Sequence, residues 1–178
     1  MGTKQKPLEE ETQIPKGNKV DLFIQSLFVS NNPLVVFNRT ALHDLEYDRK
    51  AIHELGQALK AGAERWYFVP VDDWYSYGRD IVERLEPYVG SESALKKRFR
   101  IYGVATNFPF RLQLQLYLSN DSKGADGALS IADRMYLLPK HIAGAILFYL
   151  KDIAKEIERK STPENKNELV IESFHRFF

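Results

Sequence analysis

Between Arg111 and Leu118 leucine occupies every second position, at 112, 114, 116 and 118, and Arg111, Gln113, Gln115 and Tyr117 stand between them. Only an extended strand turns residues two apart to the same side, so this octet commits the chain to a sheet. It lies inside a longer stretch, KKRFRIYGVATNFPFRLQLQLYLS, and no acid occurs from Ser93 to Asn120. Two strands are expected here, Arg98 to Ala105 and Phe110 to Leu118, joined by TNFP. Phe99, Ile101 and the four leucines would face a core. Arg98, Arg100 and Tyr102, with Arg111, Gln113, Gln115 and Tyr117, would face outward.

The rest of the chain alternates helical and strand signals. VDLFIQSLFVS offers Leu22, Phe23, Leu27 and Phe28 for burial on a short helix, and PLVVFN reads as a buried strand. Thr40 is placed to cap a helix from Ala41 to about Ala61, with Leu42, Leu45, Ile52, Leu55 and Leu59 at helical spacing and Gly62 to end it. RWYFVPV is a strand, at an edge or stopping at Pro70. Asp72 or Asp73 caps the helix that carries Trp74, Tyr77, Ile81 and Leu85. Beyond NDSKGADG, the residues Leu129, Ile131, Met135 and Leu138 suggest helix up to Pro139. Ile142, Ile146, Tyr149, Ile153 and Ile157 then form a helical stripe that suits a core face or a short seam between two chains. The sum is an α+β fold with a small, mainly antiparallel four-stranded sheet packed with helices, the last one long.

At 178 residues and 44% hydrophobic the chain supports one domain with a real core. We expect it to span residues 20–160, after a polar arm over 1–19 and before a linker and aromatic tail over 161–178. The absence of Cys excludes disulfides, thiol nucleophiles and thiolate metal sites. No apolar run is long enough for a membrane helix, the start lacks the apolar core of a signal peptide, and Lys6 stands where a myristoylation site wants Ser or Thr. The expectation is a cytoplasmic protein.

Catalytic chemistry is thinly represented. His43, His53, His141 and His175 form no pair at metal-ligand spacing, and His43, Glu46, Asp48 and Glu54 read as a solvated helix face with pairs such as Glu46 with Lys50. Asp72 and Asp73 follow a strand as the metal-binding acids of nucleases do, which leaves a magnesium- or manganese-dependent nuclease as a third reading; helix capping explains them without a metal. No phosphate loop, dinucleotide fingerprint or nucleophile elbow is present. We expect no enzyme activity, cofactor or metal.

The outward face of the two strands is basic, aromatic and amide-bearing, the combination that holds single-stranded nucleic acid. Lys97, Arg98, Arg100 and Arg111 would neutralise phosphates, Tyr102, Tyr117 and Phe108 would stack on bases, and Gln113 and Gln115 would bond base edges. Tyr75 and Arg79, one helical turn apart, would extend that surface from the Trp66 to Tyr77 aromatic cluster. No helix presents a basic face for a major groove, so single strands are favoured over duplex.

The terminal IESFHRFF resembles the short motif with which replication and repair proteins dock on the sliding clamp, Phe174, Phe177 and Phe178 taking the apolar roles, although Ile171 stands where that motif has glutamine. The tail has two other destinations, the domain itself or a second subunit. RWYFVPV, the Lys96 to Ser119 stretch and the Ile142 to Ile157 stripe together resemble in arrangement the ThermoDBP-like archaeal single-stranded DNA-binding proteins. That resemblance implies a non-OB fold, an aromatic cleft with basic flanks, binding of DNA rather than RNA, and a homodimer through the C-terminal helix. The competing expectation is a protein-interaction module of a replication or repair assembly, docking through exposed aromatics and the SFHRFF tail.

Overall fold

The computed structural model describes residues 18–104, 114–121, 123–131, 134–160 and 174–176. Helix α1 (Asn18–Val29) leads into β1 (Leu34–Asn38), and α2 (Ala41–Tyr47) with α3 (Arg49–Lys60) carries the chain to β2 (Arg65–Pro70). A helical run follows in three pieces, α4 (Val71–Asp73), a π-helical turn (Trp74–Gly78) and α5 (Arg79–Val89), then α6 (Glu92–Arg98) and β3 (Phe99–Val104). Strands β4 (Leu114–Asp121), β5 (Gly124–Ile131) and β6 (Arg134–Leu137) precede the long α7 (Lys140–Lys160), and β7 (Phe174–Arg176) closes the series.

The strand order is β6-β5-β4-β1-β2-β3-β7. β1, β2 and β3 are parallel, whereas β4 runs antiparallel to β1, β5 to β4, and β6 to β5. The four-stranded, mainly antiparallel sheet expected from the sequence is therefore corrected to a mixed sheet of six strands, with the three-residue β7 added along the β3 edge. The physical reason lies in the connections. Strands joined through helices can return parallel, and LVVF and WYFV are the unbroken apolar runs that parallel strands buried on both faces require. All five residues of β1 and all six of β2 are buried.

Two further corrections follow. The strands expected to form one hairpin are not neighbours, because β1 and β2 lie between β3 and β4. The segment read as helix from Leu129 is the β5–β6 hairpin, in which Ala128 pairs with Leu137 and Ser130 with Met135. The helix expected to run unbroken from Ala41 is interrupted at Asp48, whose carboxylate accepts from the amides of Lys50 and Ala51 at 2.9 and 3.1 Å and starts α3 afresh. Gly62 ends that helix with φ of +100°, as its position suggested.

The sheet separates two cores. On one face Leu34, Val36, Tyr67, Val69, Phe99, Ile101 and Tyr117 pack under α1, α2, α3, α5 and α6. On the other, Val35, Phe37, Phe68, Tyr102, Val104, Leu116 and Leu118 meet Ala143, Leu147, Leu150, Ala154 and Ile157 of α7. The result is a three-layer sandwich with one long helix on its second face.

Arg65, at the start of β2, is wholly buried. Its guanidinium donates to the carbonyls of Phe28 (2.7 Å), Ser30 (2.5 Å), Asn32 (2.8 Å) and Glu64 (2.8 Å). α1 has no basic residue in its own last turn, and Arg65, thirty-seven positions beyond Phe28, satisfies the Phe28 carbonyl while the Ser30 hydroxyl donates to that of Leu27 at 3.0 Å.

Candidate functional site: a groove where the sheet changes direction

From β1 the chain leaves through α2 and α3 toward β2, while the strand on the other side of β1 is β4, entered only after β3. There the sheet passes from parallel to antiparallel pairing. A groove of about 770 Å³ opens there, on the face that carries α1 to α6. Tyr117 and Gln115 of β4 and Met135 of β6 form its floor, Leu22, Ile24, Gln25 and Phe28 of α1 one wall, and Asp48, Lys50, Ala51 and Glu54 at the start of α3 the other.

The α1 wall is mostly apolar and the α3 wall mostly charged, with Asp48 bonded to the amides of Lys50 and Ala51. Leu22, which the sequence placed inside, is 60% exposed at the rim. α1 carries Leu22, Phe23, Ile24, Leu27, Phe28 and Val29, more apolar residues than one helical stripe buries, and this surplus was the signal for an exposed wall. Lys50 pairs with Glu54 at 3.7 Å, whereas Glu46, expected to pair with Lys50, bonds Arg84 of α5 at 2.8 Å and ties α2 to that helix.

Tyr117 joins the groove to the carboxyl end of β1. Its hydroxyl accepts from Asn38 Nδ2 at 3.0 Å, and Asn38 Oδ1 accepts from the Thr40 amide at 2.9 Å. Burial pushes the phenol of Tyr117 up to about 12, a shift reduced by the Asn38 bond, so it is a neutral group at physiological pH. The Thr40 hydroxyl lies 3.0 Å from Asp44 Oδ2, and the His43 ring packs against Tyr47 and Tyr77 at centroid distances of 4.7 and 5.4 Å.

Asp73 stands at the same end of the sheet, just after β2, which is parallel to β1. Neither it nor Asp72 caps a helix with its side chain; both lie in the first turn. Burial raises the Asp73 carboxyl to about 6, against the pull of Arg39 and His43, and its Oδ2 has no hydrogen-bond partner among the described residues. An acid with a raised value holds its proton more tightly folded than unfolded. Stability is therefore fully present below the usual 3.8 and falls as pH rises through about 6. Thermal unfolding between those pH values should show the wild-type melting temperature declining relative to that of Asp73→Asn, modestly because the carboxyl is half exposed. Among the described residues no group of three or more His, Asp or Glu is arranged to hold a metal ion.

The residues expected to bind nucleic acid are dispersed. Arg98 donates to the Leu59 carbonyl at 2.7 Å and closes the end of α3. Arg100 lies 4.7 Å over the Trp66 ring and 3.9 Å from Glu158, and Tyr102, fully buried, donates to Glu158 Oε1 at 2.5 Å. Tyr117 and Gln115 are on the opposite face of the sheet from Arg100 and Tyr102, because Leu116 and Leu118 share the α7 face with Tyr102. Lys97 is exposed on α6 and borders a second pocket of about 530 Å³ with Ser93, Lys96, Arg100, Glu92 and Glu158. Tyr75 is 74% exposed, and Arg79 is exposed and pairs with Glu83 at 3.8 Å. Phe108, Arg111 and Gln113 lie outside the described residues, as do Phe177 and Phe178; Phe174 lies opposite Val104 in β7.

Comparison with protein-family models, with curated proteins and with solved structures found no match for this chain. No helix among the described residues is long and apolar enough to cross a membrane.

Proposed function

We propose that this protein is a non-enzymatic binding module that takes an amphipathic segment of a protein partner into the groove between α1, the start of α3, and β4 to β6. The observation that carries this reading is the groove itself, with its exposed apolar wall at Leu22 and the amides of Gln25 and Gln115 along it. Apolar side chains of a peptide would cover Leu22, Ile24, Phe28 and Met135, and its backbone groups would find the two amides, which both donate and accept. The interaction surface differs from the aromatic tail favoured by the sequence for this role.

Selection of peptides from a displayed library tests it. Selected peptides should carry two or three apolar residues, bind almost independently of salt, and lose at least about tenfold in affinity to Leu22→Asp, the equivalent of ~1.4 kcal/mol. Peptides that bind wild type and Leu22→Asp equally well would place the site elsewhere and overturn the reading.

Binding of single-stranded DNA is the second reading, supported by the pocket that gathers Lys96, Lys97 and Arg100 beside Ser93. Two acids, Glu92 at 2.6 Å from Lys96 and Glu158 beside Arg100, lower its positive field. In this reading oligo-dT binds with a steep salt dependence, and replacing Lys97 by Ala lowers the slope by roughly 0.7. Absence of oligo-dT binding at low salt would exclude it.

A further inference from the structure

We infer, on the reading of the groove as a peptide site, that Tyr117 is its hydrogen-bond donor of fixed direction and that the occupant presents a neutral carbonyl oxygen to it beside the start of β4. Asn38, Gln115 and Tyr117 share the helical face of the sheet, because Asn38 lies opposite Gln115 and Tyr117 stands two residues further along β4. The Tyr117 ring lines the groove against Phe28 of α1, edge-on with centroids 5.9 Å apart.

A chain of hydrogen bonds sets the direction. The Thr40 amide can only donate, so the Asn38 atom it meets at 2.9 Å is the oxygen, and the Thr40 hydroxyl lies 3.2 Å from the same atom. That fixes the buried Asn38 side chain and leaves its nitrogen to donate to the Tyr117 oxygen at 3.0 Å. A phenol oxygen that accepts from Asn38 still carries its own proton, and burial keeps that proton in place across the physiological range. No acceptor for it lies among the described residues.

Gln25 and Gln115 can turn either end of their amides to a ligand and so meet a donor or an acceptor alike. Tyr117 cannot, because its oxygen is already taken by the Asn38 donor and only its proton is left to offer. The surrounding charge narrows the acceptor further. Asp48 and Glu54 line the groove, Lys50 is paired with Glu54, and the charge of Asp44 acts on the phenol. A carboxylate would be repelled by these acids, whereas the carbonyl of an amide carries no net charge. The occupant is therefore read at one point by a carbonyl and elsewhere by its apolar side chains.

Titration of the full chain with a peptide from the displayed-library selection, and with analogues carrying a thioamide at one peptide bond at a time, tests the inference. Wild type should lose about threefold or more in affinity to a thioamide at one position and little at the others, because sulfur is the weaker acceptor. Tyr117→Phe should bind the unmodified peptide about fivefold more weakly, and the same thioamide should cost it nothing further. Asn38→Asp keeps the phenol but offers it an acceptor inside the protein, so it should weaken binding as Tyr117→Phe does. The thioamide series on wild type stands by itself: equal losses at every position, or none, overturn the inference even if a variant does not fold. Tyr117→Phe binding like wild type while Leu22→Asp binds weakly overturns it and leaves the groove reading standing; a peptide indifferent to both substitutions overturns the two together.

Discussion

Arg65→Met should cost about 3 to 5 kcal/mol of folding stability, a large share of the ~5–15 kcal/mol that separates a typical domain from its unfolded chain. Methionine fits the space of the aliphatic stem and keeps the contact with the sheet, so the loss isolates the guanidinium. Three carbonyls, of Phe28, Ser30 and Asn32, lose the Arg65 donor in a place that water does not reach freely, whereas that of Glu64 keeps the Leu34 amide at 3.1 Å. Burial disfavours the charged form of Arg65 and lowers its pKa, and the carbonyl dipoles offset that cost. Arg65→Lys should recover only part of the loss, since one ammonium cannot reach four acceptors spread around a planar fork. Chemical denaturation of the three proteins gives the ranking, wild type above Lys above Met. If Met equals wild type, the end of α1 does not depend on this side chain.

Gly56→Ala should destabilise by about 1 to 3 kcal/mol, although helix propensity alone favours alanine by ~1 kcal/mol. Gly56 lies in the middle of α3, where glycine is a poor helix former. A methyl group there would stand 2.6 Å from the Tyr88 ring of α5, closer than carbon atoms approach. The ring has little room to retreat, because its hydroxyl is 3.0 Å from His53 Nδ1 on the same helix, one turn before Gly56. The close approach of α3 to α5 thus depends on the absence of a side chain. An increase in melting temperature for Gly56→Ala would mean that Tyr88 moves aside at no cost.

The elements legible from the sequence were those with one dominant signal. PLVVFN and RWYFVPV are too apolar to be anything but buried strands, and Leu55 and Leu59 mark the buried face of a helix. The β4 alternation also separates the two sides of its strand, with Leu116 and Leu118 on one and Tyr117 on the other. A period of two, however, says which residues share a side of one strand, and only pairing says which sides of two strands coincide. A hairpin of the two strands would bring Arg100 and Tyr117 to one side; with β1 and β2 between the strands they fall on opposite faces. Leu129, Ile131, Met135 and Leu138 fit three- and four-residue steps nearly as well as strand steps, and the short β5–β6 hairpin was lost in that ambiguity. The groove was beyond reach because its walls come from α1, α3, β4 and β6, which no local pattern brings together.

The sheet, with one core on each side, has a consequence for how the molecule tolerates change. Residues that fill one core do not touch those that fill the other except through the backbone of the strands they share, so paired substitutions taken one from each side should combine nearly additively. The side chains of the helical face and those of the α7 face can then diverge separately, each core changing without dismantling the other. A single domain of this plan has room for two independent histories.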